Sequence, residues 1–271
     1  MAFPGPCDSP VFAILRRARR VWAVASIHAE ASRLARLHQA LAERWQDGDR
    51  LVYLGNVLGR GALVVDTVDE VLRFRAQVLA CRNGFVGDVA VLRGAQEEMW
   101  QKLLELQFAS NPREVLAFML SQGVGATISA YGGDPRQGEA ACRDGVLAIT
   151  RWTQSLRQRL NQLPGHTQFM ASLRRAAFSD AKSLLFVHAG LDPAKPLDLQ
   201  GDAFWWGGGQ FLEVNHPYET YLRVIRGFDR HRGGLVESPH AVSLDGGSGF
   251  GGPLLAACLG NDGAVLDLIE S

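Results

Sequence analysis

The sequence predicts a layered α/β fold in a single domain, and three observations predict it. Short runs rich in Val, Leu and Ala alternate with longer stretches whose apolar residues recur every three or four positions, the pattern of strands interleaved with amphipathic helices. At 271 residues the chain can bury a large share of its apolar surface in one core. Polar and glycine-bearing segments follow the strand-like runs, where folds of this class gather their chemistry.

The first twenty residues read as a lead-in segment, with the domain proper spanning 21–271. Val11, Phe12, Ile14 and Leu15 beside Arg16, Arg17, Arg19 and Arg20 predict a lead-in helix with one solvated face. Residues 21–25 read as a buried strand. Leu34, Leu37, Leu41 and Trp45 then fall at steps of three and four, predicting an amphipathic helix over 30–44. Residues 51–54 form a second strand ended by Gly55, and 67–80 a second helix burying Val68, Val71, Leu72 and Val78. A third strand is expected over 86–92. From Glu97 to about Leu163 the chain reads as helical, with a loop at 132–141 from its Gly, Asp and Pro content. Further strands are expected at 184–187, 223–225, 241–244, 254–258 and 265–269.

Five segments carry the chemistry: VWAVASIHAE at 21–30, LVYLGNVLGRG at 51–61, VLRGAQEEM at 91–99, LLFVHAGLDP at 184–193 and VSLDGGSGFGGPL at 242–254. Their order and spacing resemble the calcineurin-like metallophosphoesterases, in particular the bacterial serine/threonine phosphatase-like and diadenosine-tetraphosphatase-like branch. Its members read GDIHG, GDYVDRG, RGNHE, VHAG, GHT and IDTG in turn. GATISAYGG at 125–133 looks like the GGDATLASYG element of that branch and lies outside the metal motifs. The resemblance runs from about Val21 to the C-terminus and implies two mixed β-sheets packed face to face with helices outside, an α/β/β/α arrangement.

The resemblance also implies a two-metal hydrolase, in which paired cations activate water and neutralise the transferred phosphoryl group. At the positions it implies, most of the ligands are replaced. Ser26 stands where the first Asp is expected, while His28 is kept. Asn56 replaces the bridging Asp, and Gly59 the later Asp of that motif. Ala95 and Gln96 replace the Asn ligand and the His general acid, and Gln96 has no titratable proton to give. His188 is kept. Phe228 falls where the histidine of GHT is expected. Arg60 matches the phosphate-binding arginine, and Gly208, within WWGGGQFL at 205–212, replaces a second one. His166, in a GHT at 165–167, precedes the VHAG strand and reads as a chance match on a surface loop.

Each kept residue has a second reading from the residues alone. His28 and His188 are either remnant ligands, with Asn56, or satisfied histidines in tight turns. Asn56 is a ligand position or a cap. Arg60 captures an anion or pairs with Asp66 or Glu97. Asp245 shapes a turn. Trp205 and Trp206 line a groove or pack in the core.

Lys plus Arg and Asp plus Glu are equal at 28 each, so no global field draws the chain to nucleic acid or an anionic membrane. No stretch reaches the ~18 apolar residues of a membrane span. Residues 1–10 lack the order of a signal peptide, and Cys7, Cys81, Cys142 and Cys258 form no CxxC pair; the expectation is a cytoplasmic protein with free thiols. The functional expectation is a pseudophosphatase that binds a phosphorylated ligand or protein partner and needs no cofactor. The rival is a weakly active phosphoesterase holding one divalent metal (Mn, Fe or Zn) through His28, Asn56 and His188, with help from Asp229 or Ser26.

Overall fold

The computed structural model describes residues 11–81, 84–208, 211 and 214–271. Cys7, the readings made for residues 1–10 and part of the WWGGGQFL segment lie outside the described residues.

Eleven described strands form two mixed sheets. The five-stranded sheet has the order β11-β10-β2-β3-β4 and the six-stranded sheet β1-β5-β6-β7-β9-β8. In the first, β2 (Arg20–Val24), β3 (Asp49–Tyr53) and β4 (Val89–Val91) run parallel, and β10 (Leu255–Gly260) and β11 (Val265–Glu270) complete it antiparallel. In the second, β6 (Leu184–Val187), β7 (Arg223–Arg226) and β9 (Ala241–Asp245) run parallel. They are flanked by β1 (Phe12–Leu15), β5 (Ala176–Ser179) and β8 (Gly234–Glu237).

Strand periodicity builds the layers. Along β2, Val21 and Ala23 enter the interior between the sheets, while Trp22 and Val24 face the helices. Val52 and Leu54 likewise point inward, and Leu51 and Tyr53 outward. From the other sheet, Leu184, Phe186, Ile225, Val242 and Leu244 close the same interior. The outer face of the five-stranded sheet is covered by α1 (Ala31–Arg44), α2 (Val64–Ala80), α3 (Ala95–Leu104) and a helical block of α4 (Pro112–Ser121), α5 (Val124–Ala130), α6 (Pro135–Asp144), α7 (Val146–Gln162) and α8 (His166–Ser172). Leu34, Leu37 and Leu41 of α1 are all buried there. The other outer face is covered mainly by the segment between β6 and β7, with the short α9 (Ala203–Trp206) and buried Leu191, Leu197, Phe204 and Tyr218.

Several expectations change. The lead-in helix is instead β1, parallel to β5: Phe12 and Ile14 lie against one core, Ala13 and Leu15 against the other, a period of two that a short continuous apolar run conceals. The third strand is shorter, because a 3-10 turn over Val86–Asp88 precedes β4. The expected loop at 132–141 is mostly α6. Asp134 caps that helix by accepting the Arg136 N–H at 2.9 Å, and Pro135 occupies its first turn, so Gly-Asp-Pro is a helix start. His166 lies on no surface loop. It is fully buried at the head of α8, between the Tyr131 hydroxyl at 3.0 Å and Asp69 at 3.1 Å. The described Cys81, Cys142 and Cys258 are free.

Candidate functional site

Because β2, β3 and β4 run parallel, as do β6, β7 and β9, the loops after them converge at one end of the sandwich. Gly227 allows a close approach between them: a Cβ there would fall 2.2 Å from Cβ of Leu54. Its carbonyl accepts the Ser26 N–H at 2.9 Å and its own N–H donates to the His188 carbonyl at 3.0 Å, which locks the loops after β2, β6 and β7 together. His28, Ala29 and Asn56 adopt left-handed backbone at φ 55°, 62° and 51°. That conformation is costly for residues other than glycine and is concentrated here in the first two motif loops.

The chain brings Ser26, His28, Asn56, Ala95, Gln96, His188 and Phe228 together in this region. Asn56 is its hub. Its Oδ1 accepts the Gln96 N–H at 3.0 Å in the first turn of α3, the capping role read from sequence. Its amide therefore points the other way, donating to Ser26 Oγ and to His28 Nε2, both at 3.4 Å. Glu97 fixes the same corner: its carboxylate accepts the N–H groups of Asn56 at 2.9 Å, Gly94 at 2.7 Å and Leu58 at 2.8 Å. Burial pushes its pKa up against those bonds.

With Nε2 accepting from Asn56, neutral His28 carries its proton on Nδ1, a buried atom with no partner. His188 donates from Nδ1 to the Leu54 carbonyl at 2.7 Å, so its Nε2 holds a lone pair, also buried and unpartnered. Burial lowers the pKa of His28 to about 3, assisted by the charges of His188, Arg60 and Arg232; burial lowers that of His188 to about 4. Both imidazoles are neutral at physiological pH. Phe228 stacks on His188 with centroids 5.5 Å apart and meets His28 edge-on at 6.4 Å, while Phe250 meets His28 edge-on at 5.3 Å. Gly59 closes the corner: a Cβ there would fall 2.7 Å from His28 Nδ1 and 3.0 Å from the Gln96 side chain.

Above this floor lies a cleft of about 470 Å³. His28, Asn56, Ala95, Gln96 and Phe228 reach its lower wall, with Arg60, Trp206, Phe118 and Phe250 around it. Arg60 does not pair with Glu97, whose oxygens are committed to backbone, nor with Asp66. Its stem crosses Gly123 and its guanidinium lies over the Phe250 ring, 4.6 Å from the centroid. Trp205 is core, donating from Nε1 to the Arg93 carbonyl at 3.1 Å, whereas Trp206 is 43% exposed at the cleft.

Sequence reading missed Arg226. It is buried and donates to Ser243 Oγ at 2.9 Å, the Gly208 carbonyl at 3.2 Å and Asp229 at 3.0 Å. It thus puts a guanidinium beside Gly208, where the resemblance implied that an arginine was lost. Arginine at the C-terminal end of a strand was the available signal. Asp245 shapes two loops at once, accepting the N–H groups of Asp229 at 2.8 Å and Gly247 at 2.9 Å; burial raises its pKa to about 6.

Neither the protein-family models nor the curated proteins contain a match to this sequence. Solved structures do match in shape. One is a protein assigned as a diadenosine tetraphosphatase, with TM-score 0.56, 21% identity and 96% of this chain aligned to 97% of that one. Another is a point mutant of a cold-active protein tyrosine phosphatase, with TM-score 0.50, 17% identity, and 96% and 83% coverage. A protein serine/threonine phosphatase from Saccharomyces cerevisiae aligns at TM-score 0.50 and 13% identity, covering 97% of this chain and 83% of that one. The chain has the calcineurin-like phosphoesterase fold.

A binuclear centre of the kind the phosphoesterase resemblance implies needs a bridging carboxylate and several further ligands. The donors gathered here are two neutral imidazoles, an amide and a hydroxyl. Asp229, the carboxylate at the cleft wall, is committed to Arg226 and to the His231 N–H at 3.2 Å. Among the described residues no three His, Cys, Asp or Glu side chains are grouped to hold a cation. These residues do not fit a two-metal centre.

Proposed function

We propose that the protein is a pseudophosphatase: it uses the phosphoesterase cleft to bind a phosphorylated ligand or a phosphorylated protein partner and does not turn it over. The observation that carries this reading is the floor of the cleft, where Phe228 packs on both retained imidazoles and, among the described residues, no three His, Cys, Asp or Glu side chains are grouped to hold an ion. Gln96 stands where an acid for the leaving group would be needed and has no proton to transfer. The cleft wall remains suited to an anion, since Arg60 is exposed and free of any carboxylate. On this reading no cofactor is required and nucleic acid is not a ligand. The setting is cytoplasmic, in keeping with three free thiols. Among the described residues no helix is long and apolar enough to cross a membrane.

One observation favours a second reading. His188 Nε2 is a buried lone pair without a partner, and buried polar atoms normally have one. A single divalent ion (Mn, Fe or Zn) held by His28, Asn56 and His188 would support slow phosphoester hydrolysis. Elemental analysis of protein purified without chelator, repeated after incubation with excess manganese and paired with phosphomonoesterase and phosphodiesterase assays, separates the two. The pseudophosphatase reading expects less than about a tenth of an equivalent of metal and no turnover. Near-stoichiometric metal with turnover abolished by His188→Ala would sink it.

A further inference from the structure

The helix α3 lines two separate spaces. Gln96 and Met99 reach the cleft, while Trp100 and Leu104, turned away from it by the helical period, line a cavity of about 300 Å³ between α3, α7 and α8. Leu160 of α7, Met170 of α8 and the following Leu173 give that cavity a wall of hydrocarbon. The two charged side chains that line it are already answered. Arg93 pairs with Glu98 at 3.2 Å, and the Glu97 carboxylate is spent on three backbone N–H groups.

Among the described residues around this cavity, one buried side-chain polar atom has no partner: the indole Nε1 of Trp100, a residue 2% exposed. The neighbouring ring does not take that proton. Tyr131 stacks on the indole with planes 30° apart and centroids at 5.2 Å, whereas an indole N–H points along its own plane. Buried indoles normally find an acceptor, as Trp22 does in Asp49 at 3.1 Å and Trp205 in the Arg93 carbonyl at 3.1 Å. Trp152 also lacks one, but it packs against Gly138 and is not among the residues around this cavity. A buried water would need about two to four polar partners, and this wall offers it mainly hydrocarbon. What matches is a molecule that brings an acceptor on an apolar body. Small-molecule sites have this composition, apolar with a few placed polar groups, and begin at about this volume.

We propose that this cavity is a second ligand site, independent of the cleft, for a small neutral molecule with an apolar body and one hydrogen-bond acceptor, which takes the Trp100 indole N–H. Methyl pentyl ketone, a molecule of that description, is the probe. In proton–nitrogen correlation spectra of the nitrogen-labelled full chain each of the six tryptophans gives one indole signal, and Trp100→Phe identifies that of Trp100 by its loss. Titration with the ketone is expected to move the Trp100 signal downfield and to saturate, with the exposed Trp206 at the cleft unmoved. Trp100→Phe keeps an aromatic ring and removes the donor, so affinity measured by calorimetry should fall about fivefold or more, the equivalent of one hydrogen bond. Ala171→Phe, at an exposed position that lines the cavity, should fill it and leave the Trp100 signal unmoved. Because Ala171 is exposed, that variant keeps the test decisive even where Trp100→Phe fails to fold. Heptanoate, with a carboxylate in place of the ketone, should bind about tenfold or more weakly, since both charged side chains at the wall are already answered.

Equal affinity in the unaltered chain and in folded Trp100→Phe, or saturable binding that survives Ala171→Phe, overturns the site. Movement of the Trp206 signal while Trp100 stays still would put the ketone in the cleft, and the absence of any saturable shift would leave the indole without a ligand of this class; either result overturns the proposal. Heptanoate bound as tightly as the ketone overturns the neutral ligand class.

Discussion

His28 and His188 are held neutral by burial, and that makes the fold acid-sensitive in a predictable direction. Both have folded pKa values below the ordinary imidazole value, at about 3 and about 4. Their contribution is therefore fully present above the unfolded value near 6.5 and is lost as pH falls toward the folded values, because the unfolded chain takes up protons that the folded chain refuses. Between pH 6.5 and 5.5 the pair should remove roughly 2 kcal/mol of stability. Urea midpoints measured at half-unit steps of pH should fall along this curve, and His188→Gln, which cannot titrate, should flatten it by about half. A slope unchanged in that variant would mean that His188 is not held neutral. The identities of these residues were legible in the sequence, since order and spacing located each one. Their roles were not. That the helix capped by Asn56 is α3, or that Glu97 gathers three backbone N–H groups and so is lost to Arg60, depends on which loop meets which strand end. No spacing rule carries that information.

The elements that periodicity predicted are those with a long buried stripe, such as α1 with Leu34, Leu37 and Leu41, and the strands β2 and β3 with alternate residues facing two cores. The missed or misread elements lack such a pattern. β1 is a continuous apolar run of four residues that conceals its period of two, and β8 is an edge strand whose first two residues are half-buried and last two exposed, so neither announces itself in the sequence. α6 was hidden by its own start signal: the Gly, Asp and Pro that suggested a loop include the helix cap. The cap gives a test. Asp134→Ala removes the acceptor of the Arg136 N–H and should cost about 1 kcal/mol, with Asp134→Asn restoring most of it. Chemical denaturation of the three proteins would show this. No loss in the alanine variant would return residues 134–136 to an ordinary loop.

Across the molecule, the fold is that of the calcineurin-like phosphoesterases while an aromatic ring, Phe228, packs on the two imidazoles at the floor of the cleft, and these two facts bear on stability in opposite ways. A protein whose folded state is completed by bound metal loses stability when the metal is removed, because binding free energy is then folding free energy. Here the inter-sheet core is closed by apolar side chains from both sheets. The loops at the site are tied by bonds such as Ser26 to Gly227 and Asn56 to Gln96, so chelation should have nothing to remove. A phosphorylated ligand that enters the cleft beside Arg60 binds only the folded chain and should stabilise it by mass action, about 2.7 kcal/mol at a concentration one hundred times its Kd. For a chain of this size that corresponds to a rise in Tm of roughly 5 °C. Thermal melts with chelator alone, with saturating inorganic phosphate alone and with both should therefore give no shift, a rise and the same rise. A drop in Tm with chelator that manganese or zinc reverses would show instead that His28 and His188 hold an ion, with the unpartnered Nε2 of His188 as one of its ligands.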